Sequence, residues 1–154
     1  MKWNANDLDT YLQAREYIDT AVIPLVPITW GNDVKTTVSM GEFITIISHE
    51  LENQFRGRVI LFPAFTYLLS EASDELLNKL KKWEDKLVAE GFKHVIYLTS
   101  DGQWRQVEQH LNGLHIWLPS IPLEHLDNEN RQRVIQDQMK QLIPFVTKKW
   151  QTVE

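Results

Sequence analysis

AVIPLVPI, residues 21–28, is apolar at every position and rich in branched side chains. That is the composition of a strand covered on both faces of a sheet. Pro24 and Pro27 complicate it, because a proline has no N–H to give to a ladder. The strand must therefore carry its prolines at its two ends, contain a bulge, or lie elsewhere than at the sheet's centre.

Working outward, three similar runs recur: RVILFPAF at 58–65, FKHVIYL at 92–98 and LHIWL at 114–118. Amphipathic helices fall between them. Residues 7–20 place Leu8, Tyr11, Leu12, Arg15 and Ile18 at helical spacing, with Asn6 as N-cap. Ser39 and Glu42 form a capping box, predicting a helix that opens there and buries Phe43, Ile44, Ile47, Leu51 and Phe55. A third helix starts near Ser73, with Asp74 and Glu75 in its first turn and Leu76, Leu77, Leu80, Trp83, Leu87 and Val88 as its apolar stripe. Thr99-Ser100-Asp101-Gly102 is turn sequence, and residues 103–111 hold about two helical turns. Asp127 caps the last helix, which buries Val134, Ile135, Gln138, Leu142 and Ile143 and should kink or break at Pro144.

Strands alternating with helices imply parallel pairing through right-handed crossovers. The expected fold is therefore α/β: a three-layer α/β/α arrangement on a four-stranded, mainly parallel sheet in the order 2-1-3-4, a Rossmann-like half of a doubly wound fold. At 154 residues the chain has the length of a single α/β domain, spanning 1–154. It contains no cysteine, which removes disulfides, thiolate nucleophiles and cysteine-ligated metals. The polar, acidic N-terminus does not read as a signal peptide, and no apolar run approaches a membrane span. The expectation is a cytoplasmic protein without membrane insertion. A net charge of −5 argues against nucleic acid as a partner.

The opening MKWNANDLDTYLQAREYIDTAVIPLVPI, the helix ending in ELENQFRGRVILFPAFTY and the later HVIYLTSDG resemble the YpiF-like family of uncharacterised bacterial proteins, over nearly the whole chain. The resemblance implies a bacterial cytosolic protein of this length and layout, and implies no activity. The strand–loop–helix–strand layout is also similar to the start of creatininase-like metal amidohydrolases. Their Glu and His metal ligands have no counterpart in Thr29-Trp30-Gly31-Asn32-Asp33, which offers one carboxylate and no imidazole. That likeness speaks to layout and not to chemistry.

A direct search for chemistry is equally sparse. Neither G-x-G-x-x-G nor G-x-x-x-x-G-K-[ST] occurs, so no nucleotide cofactor is implied. His49-Glu50 opens like a zincin motif, but Asn53 stands where the second histidine belongs. His94, His110, His115 and His125 read as packed or exposed side chains. Ser100 follows a strand, where a nucleophile could sit, yet Ser-Asp-Gly is also plain turn composition, the reading adopted. No catalytic residues and no metal ligands are assigned.

What remains is position. Ligands of open parallel sheets bind beyond the strands' carboxyl ends, where the strand order reverses. With order 2-1-3-4 that crevice lies between strands one and three and gathers Trp30, Asn32, Asp33, Tyr67, Ser100, Asp101 and Trp104. Trp83 and Trp117 fall on buried patterns. Trp3 and Trp150 should pack the chain's ends onto its body. Two functions compete. One is a non-catalytic protein that binds a protein partner or forms a homodimer, with exposed apolar residues around Phe145, Val146 and Trp150. The other is a small-molecule-binding protein or enzyme that uses the strand-end crevice.

Overall fold

The computed structural model describes residues 1–152. The chain runs α1 (Ala5–Gln13), β1 (Thr20–Ile28), α2 (Val34–Gln54), β2 (Val59–Leu61), β3 (Phe65–Leu68), α3 (Ser73–Ala89), β4 (His94–Thr99), β5 (Leu114–Trp117) and α4 (Asn128–Gln151). Two short 3-10 segments, Gly102–Gln106 and Glu108–His110, link β4 to β5. The class is α/β, as the alternation of strands and helices implies. All strand pairs are parallel, in the order β2-β1-β4-β5, with β3 also against β1.

The expected second strand proves to be two. β2 pairs with Thr20, Ala21 and Val22 of β1, whereas β3 pairs with Leu25 through Ile28. Residues 62–64 stand opposite only residues 23 and 24, which makes a bulge of one extra residue in the edge lane. This accommodates the two prolines. The carbonyls of Val22 and Ile28 accept from Phe62 and Leu69, so the main-chain groups of even-numbered β1 residues face the edge lane. Pro24 therefore turns its missing N–H toward the bulge. Pro27 faces the β4 side, but β4 pairs with β1 only as far as Pro24, so no ladder bond is lost there.

Alternation along the strands divides the core. Ala21, Ile23, Leu25, Ile60, Phe65, Tyr67, Val95 and Tyr97 pack under α1 and α3 with Leu76, Leu80 and Trp104. Val22, Val59, Leu61, Ile96, Leu98 and Ile116 pack under α2 and α4 with Phe43, Ile44, Ile47, Leu51, Ile135, Met139, Leu142 and Val146. Each such fully buried aliphatic or aromatic side chain stabilises the fold by about 1.5–3 kcal/mol. That outweighs the few tenths per residue that decide local helix propensity.

The helix starts show that competition. Asn4, not Asn6, caps α1, its side chain accepting from the Asp7 N–H at 2.8 Å, and the helix stops at Gln13 rather than Thr20. α2 begins at Val34, five residues before the expected capping box, so Ser39 is inside the helix. Here Thr37 and Gly41 are both buried, and a Cβ on Gly41 would lie 2.8 Å from Val26 Cγ1. Close packing on β1 thus extends a helix through the β-branched run Val34-Lys35-Thr36-Thr37-Val38. In α3, Val88 is exposed instead of buried, because the stripe ends with Leu87.

α4 runs unbroken through Pro144, against the expected kink or break. Lys140, whose carbonyl loses its helical donor there, is exposed, so water can serve it. Trp150 binds the end of α4 to the body. Its Nε1 donates to Thr20 Oγ1 at 2.8 Å, its ring meets Phe55 edge-on, and the Arg58 guanidinium lies 4.1 Å from its centroid. Trp3 rests on Phe62 with about half its surface open, and Trp83 and Trp117 are half-buried.

Candidate functional site

The carboxyl ends of β1, β3, β4 and β5 separate the seven residues singled out from sequence into two groups. The first is interior. Tyr67 on β3 donates its hydroxyl to Asp101 Oδ2 at 2.6 Å, and Trp104 Nε1 donates to that same hydroxyl at 2.8 Å. Asp101 Oδ1 accepts from the Gln103 N–H, and the Asp101 N–H donates to Thr99 Oγ1. All three side chains are buried. Burial, together with the Asp101 carboxylate, pushes the Tyr67 phenol far above its ordinary value. It is a neutral donor at any working pH. Both Asp101 oxygens and the Tyr67 hydroxyl are thus spent on one another and on the chain, the arrangement of a structural clamp.

Ser100, also buried, accepts at its main-chain oxygen from Trp117 Nε1 at 3.1 Å, while its hydroxyl has no hydrogen-bond partner among the described residues. Beside this group lies His115 of β5, whose ring centroid is 6.2 Å from that of Trp104. Glu108 Oε2 lies 3.2 Å from His115 Nδ1. Burial holds this imidazole below its ordinary value in spite of the pull of Glu108. His115 was not expected near the clamp. It belongs there because its place in β5, beside Tyr97 of β4, turns it to the α3 face.

The second group is on the surface. Trp30, Asn32 and Asp33 lie in the loop after β1, and all three are exposed. Gly31, at φ 93°, makes the turn that only glycine adopts freely. Trp30 is 83% exposed. Its neighbours are apolar: a cavity of about 370 Å³ is lined chiefly by Val26, Pro27, Ile28, Trp30, Val34 and Val38, with Glu42 the one charged side chain in its wall. Leu68, paired with Ile28 in the β1–β3 register, is 53% exposed and Val38 is 57% exposed. Val26 faces Gly41 of α2, so Ile28 and Leu68, at the same strand parity, face that side too. The strand ends overhang the start of α2 and leave an apolar shelf.

Ile28, Val38 and Leu68 were the residues sequence reasoning missed at this shelf. Leu68-Leu69 after a strand was their only signal. Of the apolar residues expected outside on α4, Phe145 is exposed, Trp150 is half-buried and Val146 is core. Among the described residues no three His, Cys, Asp or Glu side chains converge to hold a metal ion. No helix among them is long and apolar enough to cross a membrane.

The family described as "Protein of unknown function (DUF2487)" matches residues 9–150. The chain belongs to that family. It is also similar to the "Uncharacterized protein YpiF" of Bacillus subtilis (strain 168), with 39% identity over 153 residues covering 99% of this chain and all of the relative. No solved structure matches it.

Proposed function

We propose that this chain is a single-domain cytoplasmic protein without catalytic activity that binds a protein partner on the apolar shelf at the ends of β1 and β3. The observation that carries this reading is Trp30, an indole 83% exposed at the mouth of an apolar cavity. Contiguous exposed apolar surface marks interaction sites, and tryptophan is over-represented among the residues that dominate binding energy. The occupant that fits is an apolar segment of a partner, inserting one aliphatic side chain beneath Trp30 and setting a basic residue against Glu42. The competing reading, a small-molecule or catalytic crevice between β1 and β4, has less support. The polar groups it would need, Tyr67 and Asp101, are hydrogen-bonded to each other and sealed by Trp104.

A photo-crosslinking residue at position 38, in the native cell, tests the proposal. A discrete adduct should form there, vanish with Trp30→Ser or Leu68→Ser, and be absent when the crosslinker replaces exposed Glu129 on α4. The two serine variants should keep the wild-type thermal midpoint, since neither side chain belongs to the core. Absence of an adduct at position 38, or one indifferent to both serine substitutions, would remove the basis for a partner at this surface.

A further inference from the structure

The two edges of the sheet are treated differently. The β2–β3 edge is interrupted by a bulge and by Pro63, which are standard protections against strand addition. β5, Leu-His-Ile-Trp, forms the other edge and carries no proline, charged residue or bulge. The Leu118 N–H donates inward to the Thr99 carbonyl. Main-chain groups of alternate residues face opposite sides of a strand, so those of His115 and Trp117 face outward. Exposure agrees: the His115 side chain is only 3% exposed while the residue as a whole is half-buried, so solvent reaches its main chain.

A cleft of about 400 Å³ flanks this edge, lined by Arg105, Glu108, His115, Ile116, Trp117 and Phe145. On the α3 face, Arg105 lies with its guanidinium 4.3 Å from the Trp117 ring centroid and makes no hydrogen bond or ion pair among the described residues. Glu108 stands beside His115, two residues earlier on the same face. On the α4 face, Phe145 is 58% exposed.

We infer that a second copy of this chain occupies the β5 edge, its own β5 running antiparallel about a two-fold axis at Ile116. In that register His115 opposes the partner's Trp117, and Trp117 opposes the partner's His115. The outward N–H and C=O groups of these residues then form two hydrogen-bonded pairs. The charges select self-pairing. Glu108 goes with His115 and Arg105 goes with Trp117, so the same register sets each Glu108 against the partner's Arg105, twice across the axis. Phe145 of each protomer closes the opposite face. The net charge of −5 opposes association at long range, but that repulsion is screened beyond about 8 Å at physiological salt. The shelf at Trp30 lies at the other edge of the sheet and stays free, so this dimer and the proposed partner site stand or fall separately.

Sedimentation and light scattering of the whole chain test the inference, with Arg105→Glu, Glu108→Arg and the double exchange Arg105→Glu/Glu108→Arg. Both side chains are solvent-accessible, and circular dichroism checks that the variants fold. The wild type should be a dimer. Each single reversal should raise the dissociation constant roughly tenfold to a hundredfold by setting like charges together twice, and the double exchange should restore it. Hydrogen exchange at the His115 and Trp117 amides should slow as protein concentration rises. A monomer at every concentration overturns the proposal. So does a dimer indifferent to both single reversals, or one that leaves those two amides in fast exchange.

Discussion

Glu84 is a buried carboxylate on α3 that no Lys or Arg side chain reaches among the described residues, and its removal should be costly in a graded way. Its Oε2 accepts from the Tyr97 hydroxyl at 2.7 Å and from the Gly113 N–H at 2.8 Å, while Oε1 accepts from the Asn112 N–H at 2.9 Å. It thereby holds the turn that delivers the chain into β5. Burial, with the Glu84 carboxylate second, drives the Tyr97 phenol far above its ordinary value, so it remains a donor. In Glu84→Ala the Tyr97 hydroxyl and the half-buried Gly113 N–H lose their acceptor, at about 1–3 kcal/mol for each donor left unsatisfied. The Asn112 N–H belongs to an exposed residue and can turn to water. With the lost methylene the total comes to about 3–7 kcal/mol, a large share of the 5–15 kcal/mol typical of a domain. Glu84→Gln keeps an oxygen for Tyr97 and Gly113 but sets its NH2 donor against the Asn112 N–H, which must turn to water, so it should cost about 1 kcal/mol. Urea unfolding followed by tryptophan fluorescence measures both, and hydrogen exchange at Asn112 and Gly113 localises the effect. An Ala variant within about 1 kcal/mol of wild type, or one no worse than Gln, would refute the reasoning.

Four further outcomes follow from contacts elsewhere in the fold. Burial pushes Glu52 upward, but hydrogen bonds from Arg56 and the Met1 ammonium outweigh it and hold the carboxyl below its ordinary 4.5. Its contribution is therefore fully present above that value and lost as pH falls through the lower, folded one; Glu52→Gln should flatten the acid side of a plot of thermal midpoint against pH. Pro144 is exposed inside α4, so Pro144→Ala should stabilise the chain by about 1–3 kcal/mol in urea unfolding by returning a donor to the Lys140 carbonyl; a loss of stability would mean that the proline is matched to a bend. A Cβ on Gly113 would lie 2.7 Å from the Val95 carbonyl oxygen and 2.8 Å from the Tyr97 ring, so Gly113→Ala should cost about 1–3 kcal/mol. Gly57→Ala, whose Cβ meets no non-adjacent described residue within 4 Å, should be neutral or stabilising by up to about 1 kcal/mol on the same measurement.

The contrast between Gly113 and Gly57 separates what the chain states locally from what it states only through space. Continuous apolar runs and helical stripes are local, and they were enough for the α/β class, for parallel pairing and for most of the core: Phe43, Ile44, Ile47, Leu76, Leu80 and Leu142 lie where their spacing puts them. Caps and breaks are local as well, but weak. A capping box at Ser39 is worth about 1 kcal/mol and yields to the packing of Gly41 against Val26. Pro24 signalled a defect in the ladder without saying where, because its cost depends on which neighbour its missing N–H faces. The one-residue offset between the β1–β2 and β1–β3 registers answers that. The crevice list failed to separate its members for a similar reason. Tyr67, Asp101 and Trp104 pair with each other from β3 and the β4–β5 link, while Trp30 extends into solvent, and no spacing in the chain encodes the difference. The bulge links these features to the two surfaces. By offsetting β3 it brings Leu68 level with Ile28 at the end of β1, extending the apolar shelf beside Trp30, and it also interrupts that edge as a strand template. The chain's remaining capacity to pair a strand is thereby left to β5. In the proposed dimer, pairing falls to that bare edge, where Arg105 over Trp117 and Glu108 beside His115 supply complementary charges.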